Sequence, residues 1–138
     1  MENTAIAHIG IAVKDLDLSI QTFGKLFNAT PAHREEVKEQ KVKTAMFSLG
    51  SSSIELLQAT ETDSPIGKFI EKRGEGIHHV AIMVEDIDRE LVRMRQEGFR
   101  LIDEVPRQGA DNCLVAFLHP KTTNGVLIEL CQRLTSTT

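Results

Sequence analysis

Cysteine is scarce in this chain: Cys113 and Cys131 are the only two, and no C-x-x-C pair occurs. A disulfide framework and a cysteine-built zinc site are therefore not suggested, and both thiols read as packed strand residues. Tryptophan and tyrosine are absent, which leaves six phenylalanines as the whole aromatic content. No run reaches the roughly 18 apolar residues of a membrane span, and the opening Met1-Glu2-Asn3-Thr4 places no basic stretch ahead of an apolar one. A cytoplasmic protein without membrane contact is the expectation. Positive charge is also in deficit, with 16 Lys and Arg against 20 Asp and Glu. A formal net charge of -4 argues against a non-specific nucleic-acid binder, which needs a broad basic surface. A small anionic ligand needs only a few local cations.

What is present points to one globular core. In 138 residues, 41% are hydrophobic and 26% charged, values that exclude disorder and leave too little chain for two independently folded domains.

The chain contains itself twice. Ile6-Ala7-His8-Ile9-Gly10-Ile11-Ala12-Val13-Lys14-Asp15 aligns with Ile77-His78-His79-Val80-Ala81-Ile82-Met83-Val84-Glu85-Asp86 at an offset of 71 residues. The register continues into a helical stripe, Leu16, Ile20, Phe23 and Phe27, matched by Ile87, Leu91 and Met94. Asp15 and Asp86 stand where an N-cap carboxylate belongs, and Gly98 fits the position just past the second helix. Three extended segments follow each helix: 29–37, 42–49 and 53–58, then 99–105, 114–119 and 125–132. Gly50-Ser51-Ser52 and Asn124-Gly125 supply turns into the last strand of each half, the second with a hairpin signature. Those last strands match as Ile54-Glu55-Leu56-Leu57-Gln58 and Ile128-Glu129-Leu130-Cys131-Gln132, at an offset of 74. Three additional residues therefore sit in the loops of the second half. The expected fold is α+β: two paired βαβββ modules, about 5–58 and 76–133, forming a cupped mixed sheet with helices outside. The linker 59–75 contains a helical stretch at 66–71, and the whole of 1–138 is expected to be one domain.

Side chains alternate faces along a strand, so Ile9, Ile11 and Val13 point one way and His8, Gly10 and Ala12 the other. The bulky face takes the helix, and His8 is left among small neighbours. By the same parity His79 shares a face with Ala81, while His78 falls on the helix-packed side. Glu55 and Glu129 each oppose apolar strand neighbours, and a carboxylate in mid-strand is costly to bury unless paired or bound to a cation. A single histidine on an apolar strand is more often a core residue than a ligand; a histidine and a glutamate recurring together in both copies favours ligation. Two imidazoles and two carboxylates offer His8, Glu55, His79 and Glu129 to one divalent ion, cobalt, zinc, manganese, nickel or iron(II), with positions open to substrate. His33 beside Arg34 reads as solvated surface, and His119 before Pro120 as a strand end.

The segments Ile54-Glu55-Leu56-Leu57, Gly67-Lys68-Phe69-Ile70, Gly76-Ile77-His78-His79-Val80-Ala81, Phe117-Leu118-His119-Pro120-Lys121 and Gly125-Val126-Leu127-Ile128-Glu129-Leu130, with the first strand, carry a resemblance over nearly the whole chain. It resembles the vicinal oxygen chelate superfamily, which includes glyoxalases, bleomycin-resistance proteins and dioxygenases, and within it the methylmalonyl-CoA epimerase group. The resemblance implies a metal-dependent enzyme that moves the α-proton of an acyl-CoA through an enolate, with Glu129 as one base, and a homodimer. The position of a second family glutamate falls on Thr44, so the opposite-face acid/base is unassigned, with Glu55 one substitute. Lys68, Lys72, Arg107 and Lys121 are candidates for CoA phosphates, none of them assigned. The alternatives are a glyoxalase I-like lyase acting on a thiol adduct and a non-catalytic small-molecule-binding or resistance protein.

Overall fold

A computed structural model describes residues 4–134; the Met1–Asn3 start read above lies outside them. Two compact units emerge. One is His8–His78; the other runs from His79 onward and includes the residues before His8.

In the first unit β1 (Ala5–Ala12, which begins before His8) leads to α1 (Leu16–Phe27), then β2 (His33–Val37), β3 (Val42–Leu49) and β4 (Ser52–Ala59), in the sheet order β2-β3-β4-β1. β1 pairs with β4 in parallel and the other pairs are antiparallel. Helix α1 starts where expected: Asp15 accepts the Leu18 N–H at 3.1 Å, a cap contributing about 1 kcal/mol. Its apolar stripe, Leu16, Ile20, Phe23 and Phe27, closes over Val13, Ala45, Phe47 and Leu56. The Phe27 and Phe47 rings meet edge-on at 5.6 Å. The opposite face of the sheet packs Ala12, Val42 and Leu57 against Ile66, Phe69 and Ile70 of α2 (Pro65–Arg73). The linker helix is therefore part of the first unit's core. His78 joins it, its ring edge-on to Phe69 at 5.0 Å.

The second unit repeats the plan with β5 (Gly76–Met83, which begins in the first unit), α3 (Ile87–Gln96), β6 (Arg107–Gln108), β7 (Cys113–Leu118) and β8 (Ile128–Arg133), in the order β5-β8-β7-β6. Asp86 caps α3 through the Arg89 N–H at 3.1 Å, and Gly98 follows the helix at φ 90°. Ile87, Leu91 and Met94 pack on Val84, Ala116, Leu118 and Leu130. The α+β class and the twice-used strand-helix-strand plan are borne out.

Several extended segments differ from expectation. The stretch 99–105 forms one isolated bridge, Leu101 with Leu118, because Asp103 takes the Phe117 N–H on its carboxylate at 2.9 Å in place of a ladder bond. Pro106 then has no N–H to continue a strand. Residues 29–32 are likewise irregular: Asn28 ends α1 in the left-handed region and Pro31 follows. Asn124-Gly125 does not make a two-residue hairpin. A 3₁₀ turn at Pro120–Thr122 precedes it and the Gly125 N–H returns to the Pro120 carbonyl, so the β7–β8 connection is a longer loop. That loop holds the three additional residues: Phe47 faces Ile54 in the first unit, while Leu118 faces Ile128 in the second.

Candidate metal centre and active site

Each unit brings one histidine and one glutamate together. In the first, parallel pairing sets Gly10 beside Glu55, two residues past His8, and leaves His8 Nε2 3.3 Å from Glu55 Oε1. The two side chains are 12% and 5% exposed. In the second, Ala81 stands beside Glu129, two residues past His79, and His79 Nε2 lies 3.8 Å from Glu129 Oε1, both buried. The residue between imidazole and carboxylate is glycine in one copy and alanine in the other, so no bulk fills the face where the donors point.

The far side of each glutamate is also matched. Met46 opposes Glu55 across β3, and Phe117 opposes Glu129 across β7, an offset of 71 again. The Phe117 and His79 rings meet near-perpendicular with centroids 5.6 Å apart, which restricts the imidazole plane. An apolar wall on one side and a small residue on the other suit a carboxylate that ligates a cation, since the low-dielectric surroundings make its bare charge costly.

Cys131 is a site feature that sequence reasoning passed over. Its Sγ lies 3.1 Å from Glu129 Oε1, and both residues are buried. The matching position of the first unit is Leu57, so a polar residue standing where its repeat partner is apolar was the available signal. Thr44 is buried in β3, opposite Glu35 on one side and Leu57 on the other. His33 is a surface residue, with Nε2 2.7 Å from Glu35 Oε1 and a side chain 42% exposed. His119 follows β7, where its Nδ1 accepts the Lys121 N–H and caps the 3₁₀ turn. Lys68, Lys72, Arg107 and Lys121 are all exposed. Among the described residues no helix is long and apolar enough to cross a membrane.

Comparison with known proteins agrees with this geometry. Residues 7–117 match the model of the Glyoxalase/Bleomycin resistance protein/Dioxygenase superfamily. The uncharacterized protein YqjC of Bacillus subtilis is 40% identical over 91% of this chain and 89% of its own. The mitochondrial methylmalonyl-CoA epimerase of Dictyostelium discoideum is 37% identical over 89% of this chain and 75% of its own. A solved methylmalonyl-CoA epimerase in complex with methylmalonyl-CoA and NH4+ superposes with a TM-score of 0.92 at 37% identity, covering 96% of each chain.

Proposed function

The chain belongs to the glyoxalase/bleomycin resistance protein/dioxygenase superfamily, and on that premise we propose that it is a methylmalonyl-CoA epimerase, interconverting the (R) and (S) forms by proton exchange at the α-carbon. The observation that carries the reading is the likeness, over nearly all of both chains, to an epimerase solved with its substrate, joined to a buried histidine–glutamate pair in each unit. His8, Glu55, His79 and Glu129 together would hold one divalent ion, and the donor set fits: two neutral imidazoles and two carboxylates suit zinc, cobalt, manganese, nickel or iron(II). Bound there, the ion would act as a Lewis acid and template toward the thioester and carboxylate oxygens of the acyl group, favouring the enolate over the bare carbanion.

The protein's own groups do the rest. Glu129 accepts the α-proton, since a ligand carboxylate keeps a second oxygen for the carbon acid. Cys131 and Phe117 restrict that carboxylate and the neighbouring His79 ring to one arrangement. Apolar strand residues around the pairs keep bulk water from competing for the reacting oxygens. The protein is read further as a single-domain cytoplasmic homodimer with an acyl-CoA as its partner molecule; its two buried cysteines are thiols, which accords with a reducing compartment.

The test is exchange in deuterium oxide. Metal-loaded protein should replace the α-hydrogen of methylmalonyl-CoA with deuterium and racemise a single isomer, and chelation should abolish both. Fully metallated protein that leaves the α-hydrogen untouched would sink the proposal, and turnover of the methylglyoxal–glutathione hemithioacetal instead would transfer the chain to the lyase class.

A further inference from the structure

Arg107 lies on the short edge strand β6, and strand register fixes which way it faces. It stands opposite Val115 on β7, and Val115 stands opposite Cys131 on β8; two residues along β7, Phe117 opposes Glu129. Directly opposed residues project to the same side of a sheet, so Arg107 shares a face with Cys131, Phe117 and Glu129. The contacts agree. The guanidinium carbon lies over the Phe117 ring, 5.9 Å from its centroid, and the same ring meets the His79 imidazole at 5.6 Å. Two steps of under 6 Å each thus connect the cation to His79, all inside the second compact unit.

Asp103 holds this guanidinium in place. Its Oδ2 accepts the Phe117 N–H at 2.9 Å, and its Oδ1 stands 3.6 Å from Arg107 Nε. The irregular stretch that replaces a strand at 99–105 therefore fixes the Nε edge of the cation beside the ring. Among the described residues Asp103 is the anionic partner of Arg107, which leaves the two terminal amino groups for oxygens from outside the chain. The Asp103 side chain is 17% exposed and that of Arg107 45%, so the fork is anchored at one end and open at the other. The first unit has no cation at the matching place: Val115 is the repeat partner of Thr44, and the residue opposite Thr44 is Glu35.

An acyl-CoA of the malonyl type carries anionic groups at two distances from its α-carbon. The acyl carboxylate is bonded directly to that carbon, whereas the phosphates lie beyond the pantetheine arm, roughly 15 Å from the thioester when extended. The two ring contacts between Arg107 and His79 span less than that arm, so the near anion is the one in reach. We propose that Arg107 binds the acyl carboxylate and thereby selects carboxylated acyl-CoA thioesters over plain ones; the proposal rests on the epimerase reading above. A guanidinium meets a carboxylate through two parallel N–H donors, which fixes the carboxylate plane as well as its position. Of the four cations considered for the CoA phosphates, Arg107 is reassigned to the reacting end of the substrate.

The experiment is calorimetric titration of metal-loaded wild type, Arg107→Leu and Arg107→Lys with methylmalonyl-CoA and with propionyl-CoA, the same thioester without the carboxylate. Circular dichroism and metal content are matched first. Wild type should favour methylmalonyl-CoA, and Arg107→Leu should lose about 10–100-fold of that preference while binding propionyl-CoA as wild type does. Arg107→Lys, which keeps the charge and loses the fork, should recover part of it. Equal weakening of both ligands would assign Arg107 to the phosphates and overturn the proposal, as would an unchanged preference in Arg107→Leu. The two readings fail separately. Wild type that replaces no α-hydrogen of methylmalonyl-CoA in deuterium oxide removes the epimerase reading, and this proposal with it; exchange by wild type beside an unchanged preference in Arg107→Leu removes this proposal alone.

Discussion

The side-chain carbonyl of Gln58 on β4 accepts the backbone N–H of Leu16, the first residue of α1, at 2.7 Å. Gln132 on β8 does the same for Ile87 at the start of α3, at 2.9 Å. The last strand of each module thus completes the N-terminus of that module's helix, next to the strand position that carries the glutamate's neighbours. Loss of one such bond leaves a part-buried donor unsatisfied, so Gln58→Ala should cost about 1–3 kcal/mol, read as a lower denaturant midpoint at unchanged slope.

Metal retention should depend on His79. The His79→Ala protein should emerge without the roughly stoichiometric ion expected of wild type, with an affinity loss beyond the ~10–100-fold that removal of a supporting group brings. Elemental analysis and titration with Co²⁺ decide it, and a variant that binds metal as wild type does removes His79 from the ligand set.

Cys131 should tune the site without being needed for folding. Its thiol donates toward Glu129 Oε1 at 3.1 Å, so Cys131→Val removes a donor at little change of volume. Metal affinity should drop about 10-fold, and the Co²⁺ absorption spectrum should change as the carboxylate gains freedom. Cys131→Ser should lie nearer wild type; identical spectra for wild type and Cys131→Val would contradict the role.

Gly67 should resist a substitution that usually helps a helix. Alanine exceeds glycine in helix propensity by about 1 kcal/mol. Here a Cβ would stand 2.5 Å from the Thr62 carbonyl oxygen and 2.7 Å from that of Glu61, both backbone atoms. The prediction for Gly67→Ala is a lower melting temperature, with α2 displaced from Ala12 and Leu57.

Phe47 is fully buried under α1 and in edge contact with Phe27. Phe47→Ala should destabilise the protein by about 3–5 kcal/mol, measured by chemical denaturation. A loss below about 1 kcal/mol would mean that the core collapses onto the cavity.

Much of this molecule was readable in one dimension. The helices α1 and α3, their aspartate caps and the faces of β1 and β5 follow from periodicity, because alternation along a strand and the 3.6-residue turn are properties of the local backbone. That is why His8, Glu55, His79 and Glu129 stand out as candidates; His78, expected on the side packed by its module's own helix, instead meets Phe69 of α2. The strand expected at 99–105 failed for a tertiary reason: its residues have extended character, but the Asp103 carboxylate takes the partner N–H that a ladder needs.

The sequence by itself determined the repeat, the helix faces and the chemical types of the donors, all set by side-chain order along a chain of regular geometry. Only the tertiary structure decided which residues stand across from one another: Glu35 beside Thr44, Arg107 beside Val115, Cys131 against the Glu129 oxygen. The first two neighbour relations depend on strand register, which turn lengths and packing select together. The third depends on the rotamer that the packed sheet face leaves open to the thiol.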